Sequence, residues 1–281
     1  MALLGLSDNS PEINALYIWI GERGFSGGLQ SKARTLPAGP VSSPSNLPRW
    51  DHPSGLTLHP QAVFNGPFKG ADLLVICDAY TPNGEPFNTN KRRDAALIYS
   101  HSYVAAQYPW VVIQQEYALV PLDSQSPASQ GQYYPDAGAV NDIVREHYSA
   151  SLSAGIDIRG TNGRMPDNCK FQVGKWGSAD GIFVVDQLCA AHFILKVMAE
   201  SHRMLVSFEP NAILQTTSKE ADTPIWLSTL SMRKFGGYED SQFKVLKLMM
   251  KHMDDIAARE EGNGLEGIRV LRTVLQVFSN L

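Results

Sequence analysis

The chain has 281 residues, 43% of them hydrophobic, and a formal net charge of −4 at pH 7. This length fits one large domain or two smaller ones, and the apolar content is sufficient for a buried core. The small net charge argues against a broad electrostatic surface for nucleic acid or anionic lipid. No run of apolar residues is long enough to span a bilayer, so no membrane association is expected.

The N-terminal stretch MALLGLSDNSPEIN contains no Lys or Arg. Transit peptides are Arg-rich and signal peptides begin with basic residues, so neither is indicated and a cytoplasmic location is expected. The three cysteines, Cys77, Cys169 and Cys189, lack the spacing of metal ligands. Their sparse, odd number indicates a reducing compartment and predicts buried or half-buried thiols.

The first third of the chain is predicted to be mostly β-structure. Aromatic and β-branched residues predict a strand in ALYIWIGE (15–22), and the glycine-marked GFSGGLQSKART predicts a hairpin with a second short strand. Two further strands are predicted in LTLHPQAVF and ADLLVICDAY. The segment RRDAALIYSHSYVAAQ (92–107) then reads as a helix.

The rest of the chain alternates helix and strand. Strands are predicted in PWVVIQQEYALV, twice within IDIRGTNGRMPDNCKFQVG, and in RMLVSFEP. Helices are predicted in AVNDIVREHYSASLSAG, SADGIFVVDQLCAAHFILKVMAESH and DSQFKVLKLMMKHMDDIAARE. The pattern indicates an α+β chain of two domains with a boundary near residues 90–108.

Several stretches of the sequence together resemble the eukaryotic class of glutamine synthetase, especially its plant cytosolic form. They occur in the family's order up to about Gly262, and they include SKARTLPAGPVSSPSNLPRW, CDAYTPNGEPFNTNKR, PWVVIQQEY, DIVREHYSASLSAGIDIRGTNG and STLSMR. The resemblance implies a tail (1–14), an N-terminal β-grasp domain (15–97) and a catalytic domain (103–281). The catalytic domain is expected to be truncated, with an incomplete, barrel-like α/β sheet.

The resemblance also implies a reaction and its participants. Family members use ATP and Mg²⁺ or Mn²⁺ to phosphorylate the side-chain carboxylate of glutamate, and ammonia then displaces the phosphate. Their active sites lie between subunits of a ring, so a homo-oligomer is implied. Trp110, Ser228 and Arg233 match nucleotide-binding positions, and Glu261 matches an acid of the family's flap.

The family's metal ligands, a cluster of glutamates and one histidine, are mostly replaced here. Glu116 is the retained carboxylate, and four other ligand positions are occupied by Gln114, Arg164, Lys170 and Pro224. Hard cations prefer oxygen ligands, whereas an amide has a neutral acceptor and proline has no ligand atom. Two unit charges about 4 Å apart interact by roughly 4 kcal/mol at an effective dielectric of about 20, so a lysine converts attraction for Mg²⁺ into repulsion. We expect Glu116 to be solvated or paired with Lys170 or Arg164 instead.

Other family features are also reduced. The segment that supplies an aspartate to the neighbouring subunit is mostly missing from RWDHPSGLTLHP, and Asp51 lies out of register as a substitute. The family's arginine-rich segment N-E-R-R-L-T-G-R-H-E-T is replaced in this chain by the shorter NGLEGIRVL. The tail after about residue 263 either covers surface left by lost strands or is unrelated sequence after a disrupted reading frame.

Several remaining charged and imidazole side chains are predicted to be structural. The basic run Lys91–Arg93 is interpreted as a solvated helix start rather than an anion site. Three histidines lie on predicted helices without metal-ligand spacing: His147, His192 and His202.

Three hypotheses follow. The first is a degenerate family member without ligase activity, whose role is interaction, such as mixing into rings of an active synthetase. The second is an active glutamate–ammonia ligase that serves glutamine biosynthesis and takes metal ligands from elsewhere in the chain. The third is an unstable product of a decaying gene, which would show no cooperative unfolding.

Overall fold

The structure is a computed structural model that describes residues 12–21, 28–39, 41, 43–53, 55–122, 137–162, 169–177, 181–208 and 225–234. Within these ranges, two mixed or antiparallel sheets pack with helices, as expected for an α+β chain. The predicted helix at 240–260 lies outside the described residues.

The first sheet has the strand order β2-β1-β5-β4-β3. Its members are β1 (Glu12–Ile20), β2 (Leu29–Pro37), β3 (Trp50–Asp51), β4 (Thr57–Asn65) and β5 (Leu73–Tyr80). β1 runs parallel to β5, and the other neighbours are antiparallel. The strands that were predicted in this third of the chain are therefore confirmed, and a 3-10 turn lies at Pro44–Asn46.

The second sheet is built around one long strand, β6 (Trp110–Pro121). The order is β10-β6-β8-β7, and β9 pairs with the C-terminal end of β6. The other strands are β7 (Ile158–Asn162), β8 (Cys169–Val173), β9 (Met204–Ser207) and β10 (Ile225–Ser228). The helices are α1 (Lys91–Ser100), α2 (Ser102–Ala106), α3 (Ala137–Ala154) and α4 (Gly181–Ser201).

The single helix predicted for residues 92–107 is wrong in one respect, because the chain breaks it into α1 and α2. The break is at His101, whose φ of −62° and ψ of 132° are extended. Helical periodicity continues across this residue, so the pattern alone did not mark the break. By contrast, α3 ends one residue before Gly155, as predicted, where a φ of +86° favours glycine.

Helix α4 forms the centre of the molecule. Most of its residues are buried, and it contacts strands of both sheets as well as α1 and α3. With 21 residues, it is long and apolar enough to cross a membrane by length and composition alone. The statement that no apolar run reaches this length was therefore wrong. Two thirds of the apolar window is buried against the rest of the fold, as in the core helix of a globular protein.

Two hydrophobic clusters cover the two faces of the first sheet. The smaller contains Tyr17, Trp19 and Leu58 and lies under the segment that carries Leu47. The larger begins at Ile18 and Ile76 on the opposite face and continues through α4 and α3 to the second sheet. The two sheets therefore share one apolar core within the described residues, and α4 connects them.

The basic run at the start of α1 is not simply solvated. The Arg92 side chain is 12% exposed, and its Nε lies 2.5 Å from Asp186 Oδ1 on α4. Its Nη1 also lies 3.5 Å from Asp78 Oδ2 on β5. The prediction of a solvated helix start is wrong for Arg92, since sequence spacing does not reveal partners so distant along the chain. All three cysteines are buried and free, as predicted.

Candidate functional site

Alternation along β6 sorts its side chains onto two faces. Val111, Ile113 and Tyr117 point into the core, while Gln114 and Glu116 are half-buried on the opposite face. Trp110 shares that outer face because it is four residues before Gln114. The predicted nucleotide-binding position and two of the predicted ligand positions therefore lie on one accessible face of the second sheet.

The neighbouring strand β8 places specific residues opposite the two ligand positions. Lys170 is the direct antiparallel partner of Glu116, and Gln172 is the partner of Gln114. Gln172 donates a hydrogen bond from Nε2 to Gln114 Oε1 over 3.1 Å. Directly opposed residues have Cβ atoms about 5 Å apart, so the acid and the base face each other within reach of an ion pair. The register therefore places Lys170 next to Glu116, and the ion pair between their side chains stays a prediction.

Three predicted nucleotide-binding residues are brought together at the start of β6. Ser228 is the antiparallel partner of Trp110, and the Arg233 guanidinium lies 3.8 Å from the Trp110 ring centroid. Arg233 donates from Nη1 to the Ser228 carbonyl oxygen over 2.7 Å. It also donates from Nη2 to the Tyr108 carbonyl oxygen over 2.8 Å. Tyr108 has a φ of 43°, so Arg233 fixes a left-handed turn just before the tryptophan.

Buried polar groups support β6 from its core face. Gln115 donates from Nε2 to the Glu116 carbonyl oxygen over 2.7 Å, and its Oε1 lies 3.1 Å from His192 Nε2. Because Oε1 accepts, His192 Nε2 carries the proton. His147 Nε2 likewise donates to the Ala191 carbonyl oxygen over 3.0 Å. Burial lowers the pKa of His147 to about 4 and that of His192 to about 3, so both rings are neutral at pH 7.

The charges on the outer face do not suit a divalent cation. Of the side chains placed there, Lys170, Arg159 and Arg233 are cationic and Glu116 is anionic; Arg159 is the β7 partner of Gln172. Mg²⁺ requires several oxygen ligands, most of them carboxylates in a protein site. Among the residues that the structure describes, no group of three or more His, Cys, Asp or Glu side chains could hold a metal ion. The described donor set therefore does not fit Mg²⁺ or Mn²⁺.

Three of the predicted site residues, Arg164, Pro224 and Glu261, lie outside the described residues. Two residues that the sequence analysis did not single out, Gln172 and Arg159, belong to the same face. A signal for Gln172 was available, since it lies two positions after Lys170 on a predicted strand and so shares its face. Arg159 required the pairing of β7 with β8, which the sequence pattern does not provide.

Comparison with known proteins gives a consistent result. The chain is 44% identical over 286 residues to a glutamine synthetase nodule isozyme of Medicago sativa, an alignment that covers 92% of this chain and 78% of that protein. It is 44% identical over 284 residues to glutamine synthetase root isozyme B of Pisum sativum, with the same coverage. No protein-family model matches the chain. Identity of this extent over nearly the whole chain shows that the chain belongs to the glutamine synthetase family.

The relatives also agree with the more specific resemblance to plant enzymes of the cytosol. One of them is glutamine synthetase cytosolic isozyme 1-1 of Arabidopsis thaliana, which is 43% identical over 286 residues. Another is cytosolic isozyme 2 of Glycine max, which is 42% identical over 286 residues.

Proposed function

We propose that this chain is a glutamine synthetase homologue without ligase activity. The observation that carries the proposal is the pairing of β6 with β8, in which Lys170 opposes Glu116 and Gln172 donates to Gln114. Positions that would present carboxylates to a metal instead place a lysine opposite the retained glutamate and form an amide pair across two strands. The amide hydrogen bond gives Gln114 a partner without a cation.

The physical argument concerns charge. Phosphoryl transfer to a carboxylate depends on positioning and on neutralising phosphate charge, largely by divalent metal. Lys170 is the direct strand partner of the retained carboxylate, with Cβ atoms about 5 Å apart. A unit positive charge about 5 Å from a divalent cation repels it by roughly 2 to 7 kcal/mol, for effective dielectrics of about 80 to 20. Arg159 on the next strand adds repulsion of the same sign. Glu116 alone cannot replace the lost ligands.

The nucleotide position is better retained than the metal position. Trp110, Ser228 and Arg233 are held together by hydrogen bonds and a stacked guanidinium. We assign them to weak nucleotide binding, and Glu261 to a remnant of the flap acid. An ATP molecule without its metal would keep most of its phosphate charge, so these contacts alone would not support catalysis.

We assign the chain a role in assembly, with residues 15–97 as a β-grasp domain after a tail (1–14) and residues 103–281 as a catalytic domain. The five-stranded first sheet and α1 support the β-grasp assignment. The proposed partners are further copies of the chain or subunits of an active glutamine synthetase in a mixed ring. The proposed location is the cytoplasm, because two of the relatives are named cytosolic isozymes.

The decisive activity experiment is a γ-glutamyl transferase assay with Mn²⁺ and nucleotide, alongside calorimetric titration with Mn²⁺ plus ATP. The Medicago sativa nodule isozyme is the positive control. We expect no activity and no metal-dependent heat from this chain. Activity that is lost in the Glu116→Ala variant would overturn the proposal, because it would make Glu116 a working ligand.

The alternative is an active glutamate–ammonia ligase in glutamine biosynthesis. The extensive identity to enzymes named glutamine synthetase and the retained Trp110, Ser228 and Arg233 cluster favour it. It requires ligands from residues outside those described. The same assay separates the two functions, since only the ligase would release γ-glutamyl product.

The assembly role needs its own test. The tagged chain is co-expressed with an untagged active plant glutamine synthetase, and the complex is purified on the tag and sized. We expect the active subunit to be retained in a ring-sized particle. If the chain elutes alone at every ratio of the two proteins, the proposal of a mixed ring is wrong, even if the chain has no ligase activity.

A further inference from the structure

Two cationic side chains lie on the face of the first sheet that carries the smaller hydrophobic cluster. Lys32 and Arg34 are two residues apart on β2 and therefore share one face of that strand. Their partners on β1 are Tyr17 and Ala15, which both belong to the smaller cluster. The two cations are therefore on the opposite side of the sheet from the larger cluster, which contains α4.

Trp50 on β3 brings the two positive charges together. Lys32 Nζ lies 5.4 Å from the centroid of the Trp50 ring, and the Arg34 guanidinium carbon lies 5.5 Å from it. The Tyr17 ring packs edge-on against the same indole, with the ring centroids 5.3 Å apart. Arg34 also donates from Nη1 to the Arg49 carbonyl oxygen over 3.1 Å, which holds its guanidinium beside Trp50. Because the face of an indole attracts cations, this packing places two positive charges at one ring.

The carboxylates of the described residues do not neutralise these two charges. The salt bridges within that part of the chain involve other cations and include neither Lys32 nor Arg34. Asp51 follows Trp50 directly on β3, so its side chain lies on the opposite face of that strand. There it accepts a hydrogen bond from Thr57 Oγ1 over 2.9 Å. The surface around the Trp50 ring therefore has a net positive charge among the residues described.

We propose that Lys32, Arg34 and Trp50 form a binding site for a multiply charged phosphate anion. Arginine binds phosphate oxygens through a planar fork of donors, and lysine binds them as a point charge. A guanidinium has five N–H donors, so Arg34 keeps donors for a ligand while it bonds the Arg49 carbonyl oxygen. Because both charges lie against one ring, a compact anion with several oxygens can contact both. An acidic peptide is a poorer fit, since each of its residues carries a single carboxylate.

The phosphate site is separate from the nucleotide position at Trp110, Ser228 and Arg233, which belongs to the second sheet. It needs no divalent metal, because the protein itself supplies the positive charge. Two sources share this phosphate chemistry, namely inorganic polyphosphate and the triphosphate of a nucleotide. The contacts of Lys32 and Arg34 are to charge, so we expect the two kinds of ligand to bind with similar affinity.

The test is calorimetric titration of the full chain, at low ionic strength and with EDTA, against tripolyphosphate, ATP and an oligoglutamate peptide. We expect both phosphate ligands to bind, and Lys32→Gln and Arg34→Gln each to weaken that binding by about tenfold. Salt at about 1 M should largely abolish binding, because the charges are near solvent. Lys175→Gln is the matched control, since it removes the same charge at an exposed position after β8. Equal affinities would identify the phosphate chain as the ligand, and tighter binding of ATP with the same losses would identify a nucleotide.

Three results would overturn the phosphate site: no binding of either phosphate ligand, the same loss in Lys175→Gln, or oligoglutamate binding as tightly as tripolyphosphate. Loss of binding in Arg233→Gln but not in Lys32→Gln would place the anion on the second sheet. That outcome would also overturn this site, but it would leave the proposed absence of ligase activity intact. If Arg34→Gln does not fold, Lys32→Gln decides, because Lys32 is exposed.

Discussion

Glu116 and Lys170 lie directly opposite each other on β6 and β8, and this register predicts a specific response to charge reversal. Lys170→Glu would place two carboxylates directly opposite each other, with Cβ atoms about 5 Å apart. At effective dielectrics of about 80 to 20, that changes an attraction of about 1 to 3 kcal/mol into a repulsion of similar size. Both residues are half-buried and therefore partly screened. We expect the free energy of unfolding to fall by about 2 kcal/mol at low ionic strength, the lower end of that change.

Urea unfolding at low salt and at 1 M NaCl measures this effect. At 1 M salt the Debye length is about 3 Å, so the loss should largely disappear. Lys175→Glu is the matched control, because it makes the same charge change at an exposed position after β8. An equal loss in both variants, or no loss in Lys170→Glu, would refute the electrostatic argument.

The same argument predicts a gain of metal binding. Adding Gln114→Glu to Lys170→Glu places three carboxylates on one face of β6 and β8, together with Glu116. Mn²⁺ at about 100 times its Kd should then raise the free energy of unfolding by about 2.7 kcal/mol, with no effect on the wild-type chain. Mn²⁺ that stabilises the wild-type chain as much as the double variant would contradict the proposed loss of the metal site.

Three further predictions concern the fold. Asp186→Ala should lower the free energy of unfolding by about 3 to 5 kcal/mol in urea, because it leaves Arg92 buried without its main partner; a loss below about 1 kcal/mol would contradict this. Gly174→Ala should cost more than Gly177→Ala, since both have positive φ but only at Gly174 would a Cβ lie 2.6 Å from a backbone oxygen. As the pH decreases below about 6.5, the free energy of unfolding should fall by about 1.4 kcal/mol per pH unit for each of the two buried histidines, because only the unfolded chain protonates them there. A free energy of unfolding that stays constant between pH 6 and pH 5 would contradict this.

Much of the local structure could be predicted because the residues that define it are close in sequence. The alternation in PWVVIQQEYALV placed Gln114 and Glu116 on one face of a strand, and that face is the half-buried one. Gly155 marked the end of α3 for a conformational reason. The break at His101 was missed because both sides of it are compatible with a helix, and only packing selects the extended residue.

The site could be predicted in part for the same reason. The predicted replacement of the family's ligand residues rests on residue identity alone, and Lys170 was named, with Arg164, as a candidate partner for Glu116. The stacking of Arg233 on Trp110 was not expected, because the two residues are 123 positions apart and meet only through β10. Arg92 was assigned to solvent because its partners, Asp78 and Asp186, lie on elements that the sequence does not bring together.

The sequence by itself determined the family and the α+β class, and it predicts the replacement of carboxylates at the family's ligand positions, since these depend on residue identity and short-range periodicity. Only the tertiary structure decided that Lys170 is the direct strand partner of Glu116, that α4 joins both sheets in one core, and that Arg92 contacts both Asp78 and Asp186. Those features depend on strand register and on packing between distant segments, which no local pattern encodes.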